Sequence, residues 1–127
     1  MALTAEQILG ADDLPRVRVD VPEWTPPGGK PEDSFVFVRR MTGEEMDEYE
    51  DALRKNTDGG DELVSHKGLR LAVAVLTTCD DSGARLFTTA QMQALGAKSG
   101  EAIKRIFSAS SDLNCLGKDA TEKLEKN

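Results

Sequence analysis

Few side chains in this chain could perform catalysis or hold a metal ion, and those few are widely separated. His66 is the only histidine, and Cys79 and Cys115 are the only cysteines. A general base needs a hydrogen-bonded partner, and a zinc site needs several suitably spaced ligands. No phosphate-binding glycine loop and no hydrolase nucleophile motif is present either. We therefore expect a protein that is not an enzyme and has no cofactor, with His66 on a helix surface and both cysteines reduced and buried.

The segment Asp80–Gly83 has some of the spacing of a calcium-binding loop. If Gly83 is position six of an EF-hand loop, Thr78 and Thr89 occupy the first and last positions. Those positions normally carry an acidic residue and a bidentate glutamate. A tight turn is the simpler interpretation, and a calcium-responsive protein-binding module is kept as an alternative function.

Large apolar side chains near the N-terminal strands are candidates for contact with another protein. Aromatic residues often anchor interfaces, and methionine adapts to varied apolar partners. The candidate protein-binding residues are Trp24, Phe35, Phe37, Met41 and Met46. The alternative is that Trp24 covers the apolar face of a hairpin and that Phe35, Phe37 and Met46 belong to the core.

The negative charge is concentrated in one segment. Residues 42–62 hold nine acidic residues against two basic ones, Arg54 and Lys55, and this excess equals the net charge of −7. Phosphate backbones repel an acidic surface, so we expect no nucleic-acid binding. The acidic run is either a solvated helix face or a docking surface for a basic partner.

The length and the apolar pattern limit the fold and the location of the chain. Its 127 residues fit one domain, over residues 1–127. No apolar run approaches the roughly 20 residues that cross a bilayer, and the N-terminus lacks the basic and apolar segments of a signal peptide. We therefore expect no membrane association and a cytoplasmic location.

The N-terminal part has the pattern of a β-hairpin, over about residues 16–39. Arg16–Val21 alternates polar and apolar residues, which predicts a strand with Val17, Val19 and Val21 directed inward. Prolines and glycines in residues 22–34 predict a long connecting loop, and Phe35–Arg39 predicts a second, antiparallel strand.

The rest of the chain, about residues 43–127, is predicted to be mainly helical. Capping-box spacings occur at Thr4–Gln7 and Thr42–Glu45. The apolar pattern of residues 62–78 predicts a central helix, although a buried strand over 69–76 is equally consistent with it. Thr88 or Thr89 is expected to cap a short helix. Ser99 is expected to cap a helix that ends at Gly117 and buries one face: Ile103, Ile106, Phe107, Ser110 and Leu113. Residues 118–127 are polar, and a frayed last helix is one interpretation of them. The predicted fold class is α+β, a mainly helical single domain with an N-terminal antiparallel hairpin.

Short motifs along nearly the whole chain, taken in order and spacing, are similar to those of one protein family. They are Leu3–Leu9, Val21–Trp24, Val36–Arg39, Met41–Glu45, Cys79–Thr88, Ala94–Ser99, Arg105–Phe107, Leu113–Asn114 and Leu124–Asn127. Through them the chain resembles the tail assembly chaperones of long-tailed bacteriophages and prophages, of the siphophage or actinobacteriophage type. It departs from that pattern at Thr25–Asp33, where a shorter turn is expected.

The resemblance implies binding to the phage tape measure protein and recruitment of tail tube protein during tail assembly. A tape measure protein exposes long apolar stripes, which aggregate unless they are covered. The resemblance also implies a host-cytoplasmic protein that is absent from the mature virion and is a possible homo-oligomer. Such proteins often have a longer form made by translational frameshift, with which Lys126-Asn127 is compatible. A structural or adaptor protein that stays in the virion is the main alternative.

Overall fold

The computed structural model describes residues 1–57 and 68–116, and it confirms the predicted α+β fold class. Three strands form one antiparallel sheet in the order β1-β2-β3. The strands are β1 (Arg16–Asp20), β2 (Phe35–Arg39) and β3 (Thr78–Cys79). The helices are α1 (Ala5–Leu9), α2 (Gly43–Thr57), α3 (Leu69–Thr77), α4 (Met92–Gly96) and α5 (Gly100–Asn114). Short 3-10 turns occur at Pro22–Trp24, Pro31–Asp33 and Thr89–Gln91.

The predicted N-terminal hairpin is confirmed, with Val19 opposite Val36 and Val17 opposite Val38. Val19 and Val21 are buried, but Val17 is 40% exposed, so the expectation that all three valines point into the core is wrong for Val17. The difference follows from the position along β1, because Val17 lies near the start of the strand, outside the part that the core covers at Val19. Val38 on the central strand is screened on both sides by neighbouring strands and is fully buried.

The segment 69–76, for which periodicity allowed a helix or a strand, lies in helix α3. The strand β3 begins only at Thr78 and pairs with β2, placing Thr78 opposite Val38 and Cys79 opposite Phe37. This third strand was not predicted, because two residues are too few to show a period. Residues 62–67, predicted as the start of the central helix, lie outside the described residues, as does His66.

The core forms where α3 and α5 pack against each other and against the inner face of the sheet. Its buried apolar residues are Val19, Val21, Val38, Ala74, Val75, Leu95, Ala102, Ile103 and Ile106. The predicted inner face of α5 is confirmed for Ile103, Ile106 and Ser110, while Phe107 and Leu113 are half-buried at its margin. Burial of a side chain such as Ile106 stabilises the fold by about 1.5–3 kcal/mol.

Predicted helix caps are present at several helix starts. Thr4 and Gln7 form a reciprocal capping box at α1, and Thr42 and Glu45 form one at α2. Ser99 Oγ accepts a hydrogen bond from the backbone N–H of Ala102 at the start of α5. These contacts satisfy backbone donors that a helix start otherwise leaves unpaired.

The C-terminal end of α5 differs from its prediction. Cys115, expected to be buried, is exposed and occupies the C-cap with φ 58°, a left-handed conformation that is uncommon for residues other than glycine. The last residue of the helix is Asn114, so Cys115 lies past the buried helix face. Gly117, the predicted end of the helix, lies outside the described residues. Cys79 is buried as predicted.

No helix within residues 1–57 and 68–116 has the length and apolar character needed to span a bilayer.

Candidate functional site

The described residues contain no group of three or more His, Cys, Asp and Glu side chains that could hold a metal ion. The thiol of Cys79 is fully buried, and burial raises its pKa. A thiol that stays protonated is a poor nucleophile. Cys79 is therefore a poor candidate for a nucleophile.

The Asp80–Gly83 segment is a turn held by its own carboxylate. Oδ1 of Asp80 accepts hydrogen bonds from the backbone N–H of Ser82 at 2.9 Å, from Ser82 Oγ at 2.6 Å and from the N–H of Ala84 at 3.0 Å. The hydrogen bonds from Ser82 and then from Ala84 lower the pKa of Asp80. One carboxylate oxygen of Asp80 is thus engaged within the turn.

An open groove of about 440 Å³ lies beside the turn that follows β1. Its lining residues are Glu23, Trp24, Thr25, Phe87, Leu95 and Lys98. Pockets that bind ligands are commonly apolar with a few polar groups at defined positions, and this lining fits that description. The groove is therefore a candidate binding site.

The 3-10 turn Pro22–Trp24 sets the position of the indole. The N–H of Trp24 donates to the carbonyl of Val21 at 2.9 Å, and the half-buried ring packs against the core. Its Nε1 is buried and has no hydrogen-bond partner among the described residues. Trp24 thus covers the apolar face of the hairpin, as one interpretation predicted, and also forms one wall of the groove.

A bidentate ion pair fixes one rim of the groove to α5. Arg105 donates to the two carboxylate oxygens of Glu23 at 3.0 and 2.8 Å, and it also donates to the backbone oxygen of Asp20 at 2.8 Å. The hydrogen bond from Arg105 lowers the pKa of Glu23 to about 2. The Glu23 carboxylate is therefore ionised and matched by a cation at neutral pH.

The opposite wall comes from the α4 region. Thr88 and Gln91 begin it with a capping contact, in which the N–H of Thr88 donates to Gln91 Oε1 at 2.9 Å. Leu95 is buried and Phe87 packs against the core. The backbone N–H of Lys98 donates to the carbonyl of Leu95 at 3.0 Å, which places Lys98 directly after α4 at the groove rim.

The five predicted binding residues do not form one site in the structure. Trp24 lines the groove, whereas Phe35 and Phe37 lie on the outer face of the sheet. Met41 is only 7% exposed, and Met46 is half-buried on α2. The other five groove residues were missed as site residues: Glu23, Thr25, Phe87, Leu95 and Lys98. For Leu95 the sequence signal was a predicted short helix, which does not reveal the strand or turn that it faces.

The outer face of the sheet carries a small aromatic cluster. Phe35 and Phe37 meet edge to face with centroids 5.6 Å apart, and the Arg18 guanidinium lies 3.9 Å from the centre of the Phe35 ring. Arg18 is held there by Asp20 at 2.9 Å and by the backbone oxygen of Glu32 at 2.9 Å. Phe35, at 38% exposure, is the more accessible of the two rings.

A buried ion pair joins β2 to the start of α2. Arg39 and Glu45 are 5% and 6% exposed, and their side chains form two hydrogen bonds of 2.7 and 3.0 Å. Burial raises the pKa of Glu45, but hydrogen bonds from Arg39 and from the Thr42 N–H outweigh it, and the net pKa is lowered. Arg85 Nη1 lies 3.6 Å from the same carboxylate.

The acidic residues of the segment 42–62 do not all have the same surroundings in the structure. The interpretation of the run as a solvated helix face is wrong for Glu45, because the pairing with Arg39 turns this residue inward. The other described acids of α2 are exposed, as both interpretations require: Glu44, Asp47, Glu48, Glu50 and Asp51. Asp58, Asp61 and Glu62 lie outside the described residues.

Comparison with known proteins gives a similarity of fold. No protein-family model matches the sequence, and no curated protein sequence is significantly similar to it. Among solved structures, the chain is similar to the tail assembly chaperone of bacteriophage HK97, with a TM-score of 0.56 and 18% sequence identity. The similarity covers 85% of this chain and 90% of that chain. This chain therefore has a fold like that of a phage tail assembly chaperone.

Proposed function

We propose that this protein is a phage tail assembly chaperone that binds the tape measure protein and helps to recruit tail tube subunits. The observation that carries the proposal is the fold similarity to the HK97 chaperone over 85% of the chain. Fold alone does not define function, so the proposal also needs a surface suited to the task.

The groove beside Trp24 supplies such a surface. It is lined mainly by apolar side chains, and apolar pockets receive the exposed side chains of amphipathic helices. A tape measure protein awaiting a tail tube needs its apolar stripes covered only until the tube forms. Moderate affinity suits that role, because the chaperone is displaced when the tube subunits bury the same stripes.

The acidic face of α2 is consistent with a chaperone that stays soluble while it holds an aggregation-prone partner. Net charge away from zero opposes self-association of the complex. We place the protein in the host cytoplasm during assembly and outside the finished virion.

Co-expression tests the proposal directly. The tape measure protein encoded in the same phage genome is produced alone, with this chaperone, or with an unrelated acidic protein of similar size. We expect the tape measure protein to be soluble and to co-purify only with the chaperone. A tape measure protein that stays insoluble and unbound in all three cases refutes the proposal.

Purified phage particles separate the chaperone from the structural alternative. Mass spectrometry of the virion should detect tail tube and tape measure proteins and should not detect this chain. A stoichiometric amount of the chain in the particles would favour the structural or adaptor function. Codons at the 3′ end of the gene that cannot slip would remove the frameshift hypothesis.

A further inference from the structure

We infer that the groove of Trp24, Phe87 and Leu95 selects a partner helix that carries an acidic residue next to its apolar stripe, with Lys98 as the matching cation. The inference rests on the proposed function, since the partner helix would belong to the tape measure protein. It specifies a site and a charge preference that the proposed function does not require.

The apolar part of the groove is held in place before a partner arrives. Leu95 belongs to the buried core, and both Trp24 and Phe87 pack against that core. The ion pair between Glu23 and Arg105 joins the turn Pro22–Trp24 to α5 through two hydrogen bonds of 3.0 and 2.8 Å. A preformed site loses less side-chain freedom on binding, so apolar contacts made in it contribute more to affinity.

The rim of the groove is electrostatically asymmetric. Glu23 is already matched by the guanidinium of Arg105. Lys98 is exposed and forms no ion pair with any residue in 1–57 or 68–116 whose side chain is described. Among the described rim residues, the charge without an ion-pair partner is therefore positive, and an acidic side chain on the partner complements it.

This local charge contrasts with the rest of the protein. The chain carries a net charge of −7, and the exposed face of α2 is acidic. The acidic face of α2 repels an acidic partner helix. At the groove, Lys98 repels a basic residue of the partner and attracts an acidic one. The charge pattern thus favours the groove as the docking site for an acidic amphipathic helix and disfavours it for a basic one.

Two synthetic helices make the test specific. Each has 18 residues and lacks tryptophan, with leucines spaced three and four apart, and they differ only in glutamate or lysine beside the leucine stripe. Trp24 is the only tryptophan of the chain and lines the groove, so its fluorescence reports directly on occupancy. We expect the glutamate peptide to shift the Trp24 emission to shorter wavelength and to bind more tightly than the lysine peptide.

Charge reversal at the rim provides the matched variants. Lys98→Glu should weaken binding of the glutamate peptide by about three- to tenfold and improve binding of the lysine peptide, because an exposed ion pair contributes about 0.2–1 kcal/mol and reversal adds repulsion. Lys30→Glu changes the net charge equally at an exposed position on the connecting loop and serves as control. Both variants alter exposed side chains, so folding should be unaffected, which circular dichroism verifies.

The outcomes separate this inference from the proposed function. Equal effects of Lys98→Glu and Lys30→Glu, or peptide binding without any change in Trp24 emission, overturn the inference. An unchanged dissociation constant of Lys98→Glu for the tape measure protein also overturns it while leaving the chaperone function intact. If the wild-type chain shows the predicted peptide preference but never binds the tape measure protein, the groove assignment stands and the proposed function fails.

Discussion

The buried pair of Arg39 and Glu45 gives the most quantitative prediction about stability. Replacing Glu45 with alanine removes both hydrogen bonds that Arg39 makes to it, at 2.7 and 3.0 Å. It also removes the acceptor of the Thr42 N–H at 2.9 Å, which is half of the capping box of α2. The guanidinium left behind is 5% exposed and, within residues 1–57 and 68–116, keeps two backbone acceptors, the carbonyls of Gly83 and Arg40.

The expected cost of Glu45→Ala is about 3–5 kcal/mol in the free energy of unfolding, the range for breaking a buried ion pair by removing one partner. A domain of this size is stable by about 5–15 kcal/mol in total, so the variant should lose about a fifth or more of its stability. Its midpoint of thermal unfolding should fall by roughly 10–20 °C. Urea unfolding followed by circular dichroism measures the difference.

Glu44→Ala is the matched control, because Glu44 is the neighbouring acid in the same first turn but is exposed. It loses only a favourable interaction with the helix dipole, worth about 0.3–1 kcal/mol. A joint change of Arg39 to methionine and Glu45 to leucine should recover much of the loss, since it leaves no buried charge unpaired. Equal destabilisation by Glu44→Ala and Glu45→Ala would refute the buried pairing.

The same pair predicts a pH dependence with a definite sign. The folded-state pKa of Glu45 is lowered, so its carboxylate contributes stability that is present above the ordinary glutamate pKa, about 4.5, and is lost as pH falls through the folded pKa. Glu45→Gln removes this contribution at all pH values. The stability difference between wild type and Glu45→Gln should therefore be largest near pH 7 and should shrink in acid, as urea titrations at several pH values would reveal. A difference that stays constant down to pH 3 contradicts the assignment.

Two further predictions use the caps and the cysteines. Thr42→Ala should destabilise the protein by about 0.5–2 kcal/mol in urea unfolding, whereas Thr4→Ala should leave global stability unchanged because α1 contains no buried residue. Equal effects of the two cap substitutions would contradict this. Cys115 should react with a thiol reagent in the native protein, and Cys79 should react only after unfolding, because Cys115 is exposed and Cys79 is buried. Two equally fast thiols in the native state would contradict the burial of Cys79.

The outline of the fold was predictable because its signals are local. The alternation of Arg16–Val21 indicated a strand, and the spacings Thr4–Gln7 and Thr42–Glu45 indicated helix starts. In each capping box the two partners lie three positions apart, so the sequence itself brings them together. Strand β3 was not predicted, because its two residues form a strand through pairing with β2 and carry no pattern of their own.

Within the candidate site, the individual elements were predictable from the sequence, but the contacts between these elements were not. Trp24 was identified as a binding candidate from its type, yet the opposite wall comes from Phe87, Leu95 and Lys98, far along the chain. The contact between Glu23 and Arg105 joins residues 82 positions apart. A hydrophobic period shows that a face is buried, but it does not show which face it meets.

The sequence by itself thus determined the acidic character, the fold class and the main secondary-structure elements. Only the tertiary structure decided that Glu45 turns inward to Arg39, that Cys115 faces solvent, and that Lys98 stands at an apolar groove. The physical reason is that caps and alternation are satisfied by near neighbours in the chain, whereas burial and charge pairing depend on which distant elements pack together.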